Sequence, residues 1–166
     1  MKCSSNLLLP KLGLARHRYG IWGNGMIGWL RRQAGLVETF AALAVAWVLV
    51  FVVPFRQTTV WLGGMTAPTQ QRTTDTRNIQ QARFIARRVA RLARYVPWRT
   101  TCLVQAIAGR LLLRRRGIAA TIRFGVAHGE AGLSAHAWLI VGDQILLGGA
   151  VASDFQPLAD LGERTT

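Results

Sequence analysis

The sequence predicts an α+β domain in which helices pack on a small antiparallel sheet, preceded by an apolar helix. Three observations carry this. From Thr76 onward, two segments of helical period are followed by short segments of alternating period joined by tight turns. Ahead of them Leu36–Val53 is a nearly unbroken apolar run, interrupted only by Glu38 and Thr39. Finally, Cys102 opens the second helical segment and His136 sits within an alternating one downstream.

Residues 1–35 mix arginine, glycine and aromatics, and Gly20, Gly23, Gly25 and Gly28 interrupt any helical period, so a basic flexible segment is expected. Residues 36–62 read as the apolar helix. At about 1.5 Å per residue the run Leu36–Val53 reaches roughly 27 Å, just short of a hydrocarbon core. Glu38 and this length argue for a helix packed on the domain or lying on a membrane, against a span. Arginines at both ends, Arg31 and Arg32 before and Arg56 after, give no orientation. The run begins too deep in the chain for an ordinary signal peptide unless translation starts at Met26. Residues 63–75 are polar and rich in breakers and read as a linker.

Residues 76–166 form the predicted catalytic unit. Ile79, Ala82, Ile85, Val89, Leu92 and Val96 recur at helical spacing, with Asp75 or a neighbouring threonine as cap and Pro97 as the stop. Six arginines, from Arg77 to Arg94, occupy its other faces. A second helix runs from about Thr101 to Arg116, ended by Gly117. Ile118–Val126 alternates as a half-buried strand, His128–Gly132 forms a loop, and Ala135–Val141 and Gln144–Leu147 are strands about the turn Gly142-Asp143.

Composition bounds the partners. The 166 residues are 51% hydrophobic and 17% charged, enough for one packed domain and a modest appendage. Lys and Arg number 21 against 7 Asp and Glu, a net +14, which favours anionic lipid, nucleic acid or acidic peptide as partners. Cys3 and Cys102 are far apart, so no disulfide scaffold is expected and a reducing cytoplasm fits.

A thiol at a helix N-terminus meets unpaired N–H groups and the positive end of the helix dipole, which favour thiolate. A histidine brought alongside by a sheet completes a nucleophile–base pair. Cys102 is then the nucleophile, His136 the general base and acid, and the Cys102 N–H part of an oxyanion site. Taken singly, Cys102 is as readily a small buried hydrophobe and His136 a satisfied sheet histidine. A third group normally orients the imidazole. Asp143, in the turn after the histidine strand, and Asp154, beyond the next strand, are the candidates. Zinc binding by Cys102, His128 and His136 lacks paired ligand spacing. A basic nucleic-acid-binding role rests on charge alone, since the arginine helix lacks interleaved aromatics.

Trp98-Arg99-Thr100-Thr101-Cys102-Leu103-Val104-Gln105-Ala106, Arg115-Arg116-Gly117-Ile118 and Ala135-His136-Ala137-Trp138-Leu139, in this order, resemble the transglutaminase-like B proteins of lasso peptide biosynthesis. The likeness covers about residues 36–160. It implies a transglutaminase-like (papain-like) cysteine peptidase that removes the leader from a ribosomally made precursor, with Cys102 as nucleophile and His136 as base. It implies no cofactor or metal. Its implied partners are the precursor peptide, a separate leader-recognition protein and an ATP-dependent macrolactam synthetase. Acyl transfer to an amine would use the same thiolate. The expected setting is the cytoplasm, with contact to the inner membrane face, and nucleic acid is not expected. The family often shows Asn-Asp about a dozen residues after the histidine, where this chain has Leu147-Gly148-Gly149. Either Asp143, which we favour, or Asp154 substitutes, or a dyad suffices.

Overall fold

The computed structural model describes residues 21–67, 74–129 and 132–162. The expected features within residues 1–20 (including Cys3), 68–73, 130–131 and 163–166 lie outside the described residues. The chain divides into two compact units, Met1–Gln33 and Ala34–Thr166.

In the first unit the described residues are helical, the opening of α1 (Ile21–Phe51). The glycines at 23, 25 and 28 do not break it, so residues 21–35 are helical where a flexible segment was expected. A nucleated helix gains one hydrogen bond per added residue. Each glycine costs only about 1 kcal/mol against alanine.

The second unit holds the remainder of α1, then α2 (Phe55–Trp61), β1 (Met65–Thr66), α3 (Thr76–Leu92), α4 (Cys102–Arg114), β2 (Thr121–Gly129), β3 (Gly132–Val141), β4 (Gln144–Leu147), a 3-10 helix Gly149–Asp154, and β5 (Gln156–Leu161). The sheet order is β1-β5-β2-β3-β4 with every pairing antiparallel. Helices on a small antiparallel sheet, with an apolar helix ahead, are the architecture expected from the sequence.

The apolar helix belongs to this unit. Ala42, Leu43 and Ala46 are buried in the same core as Ile85 and Val89 of α3, Ile107 and Leu112 of α4, and Ile122, Leu139 and Leu161 of the sheet. Pro54 breaks the apolar stretch, and α2 folds back so that the buried Thr58 hydroxyl donates to the Leu49 carbonyl at 2.8 Å. The segment expected to be a plain linker contributes an edge strand, Met65 and Thr66 pairing with Leu161 and Asp160.

Helix α3 buries Ala82, Ile85, Ala86 and Val89 at helical spacing, as expected. It stops at Leu92, four residues earlier than its apolar stripe suggests. Pro97 disfavours helical backbone before it, and the Thr100 hydroxyl ties the turn by donating to the Ala93 carbonyl at 2.9 Å. Asp75 occupies the N-cap position, but its side chain makes no cap hydrogen bond. Gly117, at φ +68°, closes α4 through the Ile118 N–H, which donates to the Leu113 carbonyl at 3.0 Å.

Strand β5 was not legible because Pro157 argues against a paired strand. Pro157 lies opposite Gly125, where the β2–β5 ladder shifts register, and β1 covers only Asp160 and Leu161. Among the described residues no strand pairs with the outer side of β5 at Pro157, where a missing N–H costs no ladder bond.

Candidate active site

Cys102 is the first residue of α4, and Thr101 before it is the N-cap. The Thr101 hydroxyl accepts from the Val104 N–H at 3.3 Å, while the Thr101 carbonyl accepts the first intrahelical bond, from Gln105. In this geometry the earliest N–H groups of the helix have no intrahelical partner. The Gln105 side-chain amide donates to the Thr100 carbonyl at 3.2 Å, bracing the approach to the cysteine. Cys102 is half-buried and packs against the hydrophobic core.

Helix α4 runs mainly along β3. Gly109 lies against Leu139 and Leu147, where an added Cβ would collide with the Leu139 side chain. The tight turn after Arg114 hands the chain to β2, whose first residue Thr121 pairs with Ile140, and the buried Arg110 donates to the Ala120 carbonyl at 3.0 Å. The C-terminal end of α4 thus lies at the Ile140 end of β3. Cys102, about 10 Å back along the helix from Gly109, lies toward the His136 end, about 10 Å back along β3 from Leu139.

Alternation then decides the faces. Ala137, Leu139 and Val141 join the core under α4, so His136, Trp138 and Ile140 turn to the opposite face. There the His136 ring packs between Trp138 (centroids 6.0 Å) and Phe155 (5.3 Å). Its Nε2 lies 3.0 Å from the Gly148 carbonyl. A carbonyl only accepts, so Nε2 carries the proton and Nδ1 is left with its lone pair. Among the described residues no hydrogen bond joins Cys102 to His136. Thiol and imidazole thus share one end of the sheet but lie on opposite faces of β3, without a bond between them.

Gly148 makes this arrangement possible. Its φ of +78° is left-handed, and an added Cβ would sit 2.8 Å from the Ala137 carbonyl oxygen and 2.9 Å from His136 Nε2. The neighbouring Gly125 is needed for a different reason: an added Cβ there would overlap the Trp138 ring.

Asp143 does not orient His136, contrary to the expectation. It is exposed in the β3–β4 turn, beyond the five residues of β3 that follow His136, about 16 Å of strand at 3.3 Å per residue. Asp154 ends the 3-10 helix next to Phe155, exposed, and accepts from the Ser153 hydroxyl at 3.1 Å. The buried acid of this face is Asp160, which sequence reading passed over. Both its oxygens accept from Arg123, at 2.7 and 2.8 Å, and that hydrogen bond raises the Arg123 pKa. His128 is exposed near the far end of β2, opposite Leu133. Among the described residues no group of three or more His, Cys, Asp or Glu side chains is placed to hold a metal ion.

A helix beginning at a cysteine, laid along an antiparallel sheet whose second long strand carries a histidine, is matched by the family model for the transglutaminase-like superfamily over residues 46–160. That is more than half of the chain. The protein belongs to the transglutaminase-like superfamily. No curated protein and no solved structure gives a significant match. The matched region of this transglutaminase-like protein begins inside α1 and ends in β5, so the superfamily domain includes part of the apolar helix. Within α1, Gln33–Phe51 is long and apolar enough to cross a membrane by length and composition. Membership is consistent with a cysteine peptidase or an acyl transferase.

Proposed function

We propose that the protein is a cysteine peptidase that cleaves the leader from a lasso peptide precursor. The observation that carries the reading is a helix-opening Cys102 at the same end of the sheet as a His136 whose Nε2–H is held by the Gly148 carbonyl. The superfamily match and the order of the motifs around Cys102, Gly117 and His136 support it.

In this mechanism His136 Nδ1 accepts the Cys102 proton and the thiolate attacks the scissile carbonyl carbon. The resulting oxyanion is held by the free N–H groups at the start of α4. Collapse breaks the C–N bond, and the imidazolium gives its proton to the departing amine of the core peptide. Water, deprotonated by the same Nδ1, then hydrolyses the thioester, releasing the leader carboxylate and restoring the thiol. The Gly148 carbonyl takes the orienting role that the family gives to a carboxylate. Such hydrogen bonds commonly tighten only once substrate is bound. For this chemistry the thiol and the imidazole, which lie on opposite faces of β3 at one end of the sheet, must be brought together when the precursor, presented by a separate leader-recognition protein, occupies the site. The freed amine passes to an ATP-dependent macrolactam synthetase.

The test is mass spectrometry of the precursor after incubation with this protein and the leader-binding partner. Cleavage at one bond is expected, falling by at least about 10³-fold in Cys102→Ala and His136→Ala. Without the recognition protein the rate should be low. Intact precursor beside folded enzyme and bound leader would refute the reading, and a new amide on an added amine would redirect it to acyl transfer.

A further inference from the structure

Helix α1 has two faces that its composition does not distinguish. Thr39, Ala42, Leu43 and Ala46 point into the core. On the opposite side Val37, Phe40, Val45, Val48 and Phe51 are exposed, as is Val52 just past the helix end, Val37 at 68% and Val52 at 65%. At 100° per residue these form one stripe, about 22 Å long. The only charged residue from Leu36 to Phe51, Glu38, stands at the edge of this stripe with its carboxylate bound by arginines. Arg116 grips both Glu38 oxygens at 2.6 and 3.2 Å, with Arg88 and Arg115 each at 3.6 Å. An uncharged apolar stripe of this extent in water marks a contact surface.

Charge selects the occupant. A second copy would bring another +14 against the first. An anionic lipid surface is complementary to the same charge, and the exposed Arg56 follows directly beyond the stripe. Spanning is disfavoured, because one side of the helix is the domain's own core and Glu38 is tied to three arginines of α3 and the α4 end.

We infer that the exposed face of α1 docks this domain onto an anionic membrane surface, with the helix lying in the interface. The inference does not rest on the peptidase reading. Its test is flotation of the full chain with phosphatidylglycerol–phosphatidylcholine vesicles and with phosphatidylcholine alone. Binding to the anionic vesicles is expected, released by alkaline carbonate and weakened at least tenfold in Val37→Asp/Val48→Asp. Leu158→Asp, which removes an exposed apolar side chain of β5, should bind like wild type. Circular dichroism melts check folding, and the single changes Val37→Asp and Val52→Asp serve if the double variant unfolds. Failure to float, equal binding by the α1 variants or resistance to carbonate would each overturn the inference. So would a dimer in solution that the α1 variants dissociate.

Discussion

In the proposed peptidase His136 serves as a base only when its proton sits on the right nitrogen, and the Gly148 carbonyl holds it there. Gly148 can offer its carbonyl because it adopts a left-handed φ and because no side chain intrudes between it and the ring. Gly148→Ala is expected to cost about 1–2 kcal/mol from the backbone alone. It should also displace the imidazole, so on the proposed peptidase reading leader cleavage falls well beyond the loss of stability. Gly149→Ala, next door and without the positive φ, is the control. Thermal melts and cleavage rates on both variants check this; equal activity would remove the orienting role from Gly148. This position was half-legible: Leu147-Gly148-Gly149 stood where a carboxylate was expected. A carbonyl serving in its place leaves no mark in residue type, whereas Asp143 is visible in the chain.

At the scale of elements, α1 is the informative case. Leu43→Ala should cost about 2–5 kcal/mol, as for any core leucine, while Val45→Ala on the other face should stay within about 0.5 kcal/mol. Chemical denaturation of the two variants measures the difference, and equal effects would mean that the helix is not part of the core. Helices α3 and α4 were legible because long segments of 3.6 period identify themselves. Their ends were set by Pro97 and Gly117, punctuation visible in the chain. Strands β1 and β5 were not, since two residues and a proline-containing hexapeptide show no alternation until a partner strand is supplied.

At the scale of the whole molecule, Glu38 joins α1 to α3 and to the end of α4. The Arg116 hydrogen bond holds its pKa below the ordinary 4.5, outweighing the opposing effect of burial, with the charges of Arg116, Arg115 and Arg88 adding to the lowering. A depressed folded-state pKa contributes stability that is complete above the unfolded value and lost as pH falls through the folded one. Glu38→Gln should therefore cost about 1–3 kcal/mol at neutral pH, with the gap to wild type closing below about pH 4.5. Denaturation midpoints from pH 7 to pH 3 would show it; a gap independent of pH would mean that charge is not the cause.

The sequence by itself determined the α+β class, helices α3 and α4, the two candidate reactive residues and the basic charge. Each is written in local period, local punctuation or composition. Tertiary structure alone decided which face of the apolar helix is core, that Glu38 is matched by three arginines, and that a glycine carbonyl rather than Asp143 meets His136. Those outcomes depend on contacts between residues from 12 to 78 positions apart. Nothing in a local window encodes such contacts, and only packing in three dimensions selects among the partners that composition allows.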